Sequence, residues 1–168
     1  MITSLILYQM YFVFNNKIDA LAFKESIPNH HNYSSNNNYL SINNTISINN
    51  KKYQLSNQFN NQSLTNGFAI MEISKPINQK GQTIIGTHRE AFGKIINNIK
   101  LNDIILINYN TKNYYYQAYN IKIIKDDEYN KFYLEDTNNN IITLFTCYPI
   151  NSKEKPTQRL VIELKLIK

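Results

Sequence analysis

The chain has 168 residues, 42% of them hydrophobic, enough for one domain with a core of its own. Its 18 basic against 12 acidic side chains leave a formal charge of +6. The lysines are scattered and no basic run interleaves with aromatics, a pattern of solvated surface that argues against nucleic acid as a partner. Cys147 is the only cysteine, which excludes an internal disulfide and a multi-thiolate metal centre.

Residues 1–24 form an apolar N-terminal segment, in which Ile2 to Phe14 is interrupted only by Thr3, Ser4 and Gln9. That run is shorter than the roughly 20 residues that span a bilayer. No basic stretch precedes it and no small-residue cleavage pattern follows it. It reads equally as a signal-anchor or membrane-associated helix and as a helix packed on the domain. Residues 25–51 read as an Asn-rich linker with at most short strands around Tyr39–Ile42 and Thr45–Ile48. His30 and His31 lie in it without a third ligand at metal-binding spacing, so they read as a surface pair, and no metal or cofactor is expected.

From Lys52 the pattern turns to β. Thr83–Gly86 is a short apolar strand that runs into Thr87 and His88. Glu90–Asn98 follows, with Phe92, Ile95 and Ile96 at helical spacing and Glu90 suited to the first turn of a helix. Asp103–Tyr109, Tyr114–Ile124, Ile141–Cys147 and Gln158–Ile167 have strand length and composition. The last of these alternates: Leu160, Ile162, Leu164 and Leu166 share one face, Arg159, Val161, Glu163 and Lys165 the other. Several strands with one or two short helices predict an all-β barrel or sandwich.

Cys147 ends one predicted strand and Arg159 opens the next, across a connection that contains Pro149 and Pro156. Antiparallel pairing would set the two side by side. A guanidinium there favours the thiolate and can stabilise an oxyanion. A thiol nucleophile also needs a group to shuttle protons, and His88 is the one histidine in a structured context. Taken singly, these residues leave open a buried thiol and a solvated strand-end histidine. A non-catalytic basic β-barrel that binds nucleic acid or an envelope ligand is the rival reading.

Thr143-Leu144-Phe145-Thr146-Cys147 resembles the Thr-Leu-x-Thr-Cys signature of sortases, the cysteine transpeptidases of bacterial envelopes. Gly81 to Phe92 is similar to that family's strand ending in histidine and followed by a short helix, except that Thr87 stands where glycine is usual. Gln158-Arg159-Leu160-Val161-Ile162 resembles the arginine that opens the family's final strand. The Cys147-Tyr148-Pro149 continuation and the long interval from His88 are most like class D sortases and their Gram-negative relatives.

The resemblance implies an eight-stranded sortase barrel over residues 52–168. Cys147 would attack the Thr carbonyl of a Leu-Pro-x-Thr-Gly-like sorting signal, and an amine acceptor would resolve the thioacyl enzyme. His88 would act as acid and then base, and Arg159 would hold substrate carbonyls and the tetrahedral intermediate. Thr146, Thr87 and Tyr148 would bind substrate or support the site, while Arg89 is expected at the surface. Some relatives are activated by calcium through clustered acids; Asp126, Asp127 and Glu128 read at least as well as a solvated turn. The resemblance also implies a bacterial cell envelope location, membrane-associated through the N-terminus with the catalytic domain extracytoplasmic. An inactive scaffold of the same fold is the alternative that Thr87 leaves.

Overall fold

The computed structural model describes residues 44–126 and 138–168. The apolar N-terminal segment, His30, His31, Tyr39–Ile42, Asp127 and Glu128 lie outside the described residues. Along the chain run β1 (Thr45–Ile48), β2 (Lys51–Ser56), α1 (Asn61–Asn66), β3 (Phe68–Ile70) and β4 (Gly81–Gly86). A π-helical turn (Arg89–Gly93) leads into α2 (Lys94–Asn97). Then come β5 (Ile104–Tyr109), β6 (Lys112–Lys125), β7 (Asn140–Tyr148) and β8 (Gln158–Leu166).

The eight strands close into a barrel in the order β1-β2-β3-β4-β7-β8-β6-β5. Its first strand lies inside the stretch read from sequence as linker, and β1 closes the barrel by pairing antiparallel with β5. Asparagine has a structural use here. Asn49 and Asn50 both take positive φ (50° and 62°) in the two-residue turn between β1 and β2, a conformation that asparagine tolerates better than most residues. Among the described residues no helix is long and apolar enough to cross a membrane.

Alternation fixes which side chains enter the core. On β7, Ile142 and Leu144 point inward, and on β8 so do Leu160, Ile162 and Leu164. Tyr116 of β6 is 1% exposed, and burial pushes its phenol up to about 12. The tyrosine-rich segment around it thus supplies barrel packing. One end of the barrel is plugged by the turn after β4. Phe92 meets Tyr53 edge-on at 5.6 Å and Phe68 at 5.7 Å, while Ile96 and Ile99 are buried behind it.

The helix predicted over Glu90–Asn98 is therefore present, but its first turn is π-helical. The wider turn carries Gly93 against β7 and the loop beyond it. A Cβ at Gly93 would lie 3.2 Å from Ile150 Cδ1 and 3.4 Å from Thr146 Oγ1. Close approach of this turn to β7 brings the segment after His88 to the strand that carries Cys147.

Candidate active site

Two strand pairings assemble the site. β7 and β8 are antiparallel, with Cys147 directly opposite Arg159. β4 and β7 are parallel, with Gly86 opposite Phe145 at the last paired position. Beyond it the Thr87 N–H donates to the Phe145 carbonyl at 3.2 Å, and His88 keeps an extended backbone at φ −70° and ψ 139°. His88 follows two residues beyond that last pair, as Cys147 does on β7. Cys147 and Arg159 are thus direct cross-strand neighbours on β7 and β8, and His88 follows the end of β4, the strand on the other side of β7. Cys147 and Arg159 occupy the positions that alternate with the core-facing Leu144 and Leu160, which is the outer face of the barrel.

Backbone contacts lock this arrangement from beneath. The Thr87 hydroxyl donates to the Gly67 carbonyl at 2.7 Å and reaches the Leu64 carbonyl at 3.2 Å. The Thr146 hydroxyl donates to the Thr87 carbonyl at 3.0 Å. Both threonines are buried, at 4% and 0% exposure, so each faces the protein rather than a groove. The β-branched residue before the histidine has its hydroxyl employed as a tie between β4 and the end of α1. Tyr148 packs against the barrel core. Next to Cys147 on the outer face, Phe145 stacks on Phe59 with ring centroids 6.3 Å apart. Gly86 makes room for that pair, since a Cβ there would lie 2.7 Å from Phe145 Cζ.

The charges near the thiol are balanced. Burial pushes the Cys147 thiol up, and Arg159 opposes this without overcoming it; Glu90 adds to the rise. Arg159 shares its charge with Asp126, whose Oδ1 lies 3.0 Å from Nη1. Desolvation pulls the His88 imidazole down, against a smaller upward pull from Glu90. Both shifts favour an uncharged thiol and an uncharged imidazole at rest. Arg159 does favour the thiolate, as its place opposite Cys147 leads one to expect, but burial of the thiol outweighs it.

His88 Nε2 lies 2.7 Å from Asn61 Oδ1 on α1. Sequence reasoning passed over Asn61, since it sits 27 residues upstream in an asparagine-rich stretch with no distinguishing pattern. A cavity of about 320 Å³ lined by Thr65, His88, Glu90 and Ala91 opens beside the imidazole. Glu90 is mostly exposed there. Desolvation works to raise its carboxyl, but the Arg89 hydrogen bond and the charges of Arg89 and His88 together hold it below its usual value.

Arg89 is not at the surface as expected; it is 8% exposed. Its Nη1 donates to the Pro149 carbonyl at 3.2 Å, Nη2 to the Glu154 carbonyl at 2.8 Å, and Nε to Glu90 Oε1 at 2.5 Å. The residue after His88 therefore holds the loop that follows Cys147. Burial is tolerable because the planar guanidinium satisfies its donors along several directions at once.

The sequence matches the family model described as Sortase domain over residues 42–167. No curated protein sequence matches the chain. Among solved structures, sortase C from Clostridium perfringens SM101 is 21% identical with a TM-score of 0.63, the match covering 74% of this chain and 68% of that one. Sortase A from Corynebacterium diphtheriae is 19% identical with a TM-score of 0.66, covering 75% and 60%. The pilus-related sortase C of Group B Streptococcus is 24% identical with a TM-score of 0.64, covering 75% and 67%. At these identities the structural likeness is one of fold. The chain spans between 60% and 68% of the length of these three proteins' chains.

Proposed function

The chain belongs to the sortase family of cysteine transpeptidases, and we propose that it cleaves a Leu-Pro-x-Thr-Gly-like sorting signal and transfers the acyl part to an amine. The observation that carries this reading is Cys147 directly opposite Arg159 on β7 and β8, with His88 just past the end of β4, which pairs with β7 on its other side; continued by two residues, the β4–β7 register brings the three into one row.

In this mechanism the Cys147 thiol passes its proton to the neutral His88 imidazole as sulfur attacks the Thr carbonyl carbon of the sorting signal. The tetrahedral oxyanion forms beside Arg159, whose guanidinium stabilises it where the uncharged ground state gains little. Collapse breaks the Thr–Gly peptide bond, with His88 delivering a proton to the departing amine. The thioester then reacts with an incoming amine, which gives a proton to His88 as the new amide forms and the thiolate leaves, and His88 returns that proton to Cys147 to restore the neutral pair. The cavity beside His88 gives that amine an approach within reach of the imidazole. Starting from a neutral pair costs little here, because the proton moves during attack rather than before it.

The supporting residues fit the same reading. Thr87 and Thr146 hold the His88 turn against β7, and Tyr148 anchors the start of the loop over the site. The assignment to class D rests on the Cys147-Tyr148-Pro149 continuation and the long His88-to-Cys147 interval alone. A bacterial envelope location, with the N-terminal segment at the membrane, follows from the substrate class. No observation favours the nucleic-acid reading.

The test is incubation with a labelled sorting-signal peptide and an amine acceptor, followed by mass spectrometry of the intact protein. We expect a thioacyl adduct on Cys147 and a transfer product. Cys147→Ala should lose both while keeping a native thermal transition. Arg159→Lys should slow turnover on the order of 100-fold, since lysine lacks the planar fork. Transfer by Cys147→Ala, or a wild-type protein without any adduct, would sink the reading.

A further inference from the structure

Resting on the transpeptidase reading, we propose that Asn61 is a positioning residue that holds His88 in the tautomer protonated at Nε2, leaving Nδ1 as the nitrogen that exchanges protons at the Cys147 centre. The contact itself is short, with Asn61 Oδ1 and His88 Nε2 2.7 Å apart. An amide oxygen only accepts, so the ring nitrogen facing it must carry the proton. In a neutral imidazole the other nitrogen is then bare.

α1 grips the histidine at a second point. The His88 N–H donates to the Leu64 carbonyl at 3.3 Å, from the same helix that carries Asn61. Next to it, Thr87 is tied to Leu64 and Gly67. The backbone of His88 and one edge of its ring are therefore both referred to α1, which limits rotation of the imidazole. Orientation of this kind matters because a ring turned over would present a proton where the reaction needs a lone pair.

The arrangement also serves the reverse half of the cycle. When Nδ1 takes up a proton the ring becomes cationic, and the bond from Nε2–H to Asn61 becomes charge-assisted and stronger. Asn61 would thus support the imidazolium without adding a charge of its own. The ionisable groups on the elements around His88 are Arg89 and Glu90 on its own turn, Cys147 and Tyr148 on β7, and Arg159 (paired with Asp126), Glu163 and Lys165 on β8; α1 carries none. A neutral carbonyl leaves the imidazole with its lowered pKa, where a carboxylate would raise it.

Long-range ¹H–¹⁵N correlation spectra of the ¹⁵N-labelled full chain read the tautomer directly, with His88 assigned by its loss in His88→Gln. Wild type should show the Nε2–H pattern at neutral pH. Asn61→Ala should mix the two tautomers, and its kcat for peptide transfer should fall about tenfold with the peptide KM unchanged. Asn61→Asp should restore the Nε2–H pattern and raise the His88 pKa by about one unit, moving the acid limb of the spectroscopic titration upward. A wild-type spectrum dominated by Nδ1–H would overturn the proposal. So would an unchanged tautomer ratio in Asn61→Ala. A protein that shows the expected spectra but transfers no peptide would instead refute the transpeptidase reading and leave the pairing standing.

Discussion

At the scale of single residues, the site is defined by which charges are absent. A guanidinium opposite a thiol invites the inference of a resting thiolate, yet Cys147 is partly buried and Arg159 is engaged by Asp126. The thiol is therefore held protonated above its usual value. Alkylation of Cys147 by iodoacetamide, followed against pH, should have its midpoint above the ordinary thiol range. Arg159→Met should move that midpoint higher still, because Arg159 supplies the largest pull opposing burial. A midpoint at or below the ordinary range would mean that the thiolate already dominates at rest. The same linkage has a sign for stability. A thiol raised by folding favours the protonated native state, so its contribution is present below the unfolded-state pKa and fades as pH rises through the folded one.

Among the elements, β5 to β8 were legible because their apolar residues run in strand-length stretches bounded by turn residues. The Cys147–Arg159 pairing was legible too, since consecutive strands in a hairpin have one simple geometry. The lie of β4, which leads into His88, along β7 was not. It depends on parallel pairing of β4 with β7 across an interval containing two other strands, and no local pattern encodes that. α1 was equally hidden. Asn-Gln-Ser-Leu-Thr-Asn has no apolar periodicity, and the helix is started by the Asn60 side chain accepting from Ser63 N–H at 2.9 Å. Burial of Arg89 escaped the sequence for a related reason: its partners are carbonyls of a loop some 60 residues away.

That clamp gives the β7–β8 loop a testable dependence on one side chain. Arg89→Met removes the donors to the Pro149 and Glu154 carbonyls and leaves Glu90 without its partner. Charged hydrogen bonds of this type are worth about 1.5–3 kcal/mol each, so stability in urea should fall by about 3 kcal/mol. The loop should also open locally. Lys153 is exposed within it, and trypsin should cleave after Lys153 several times faster in Arg89→Met than in wild type. Arg89→Lys should recover only part of the protection, because one ammonium cannot reach two carbonyls and a carboxylate with a planar fork's geometry. Equal cleavage rates in all three proteins would show that the loop is held by other contacts.

For the whole molecule, closure of the barrel is the condition on which the site depends. Cys147 and Arg159 lie on β7 and β8 and His88 just past β4, but these are three staves of a ring that closes only where β1 meets β5. β1 is four residues long and contributes Ile46 and Ile48, both buried to within 2%. Its removal would expose the paired edges of β2 and β5 and hollow the core at that seam, two liabilities that a closed sheet avoids. A chain of residues 42–168 keeps β1 together with Asn44, whose side chain accepts from the Asn110 N–H at 2.9 Å in the β5–β6 turn. A chain of residues 51–168 loses all of this while retaining His88, Cys147 and Arg159. The first should show a cooperative thermal transition and form the Cys147 adduct with a sorting-signal peptide. The second should melt without cooperativity, bind a hydrophobic dye and form no adduct. Adduct formation by the shorter chain would show that the site stands on β4, β7 and β8 alone, and that closure serves stability without serving the chemistry.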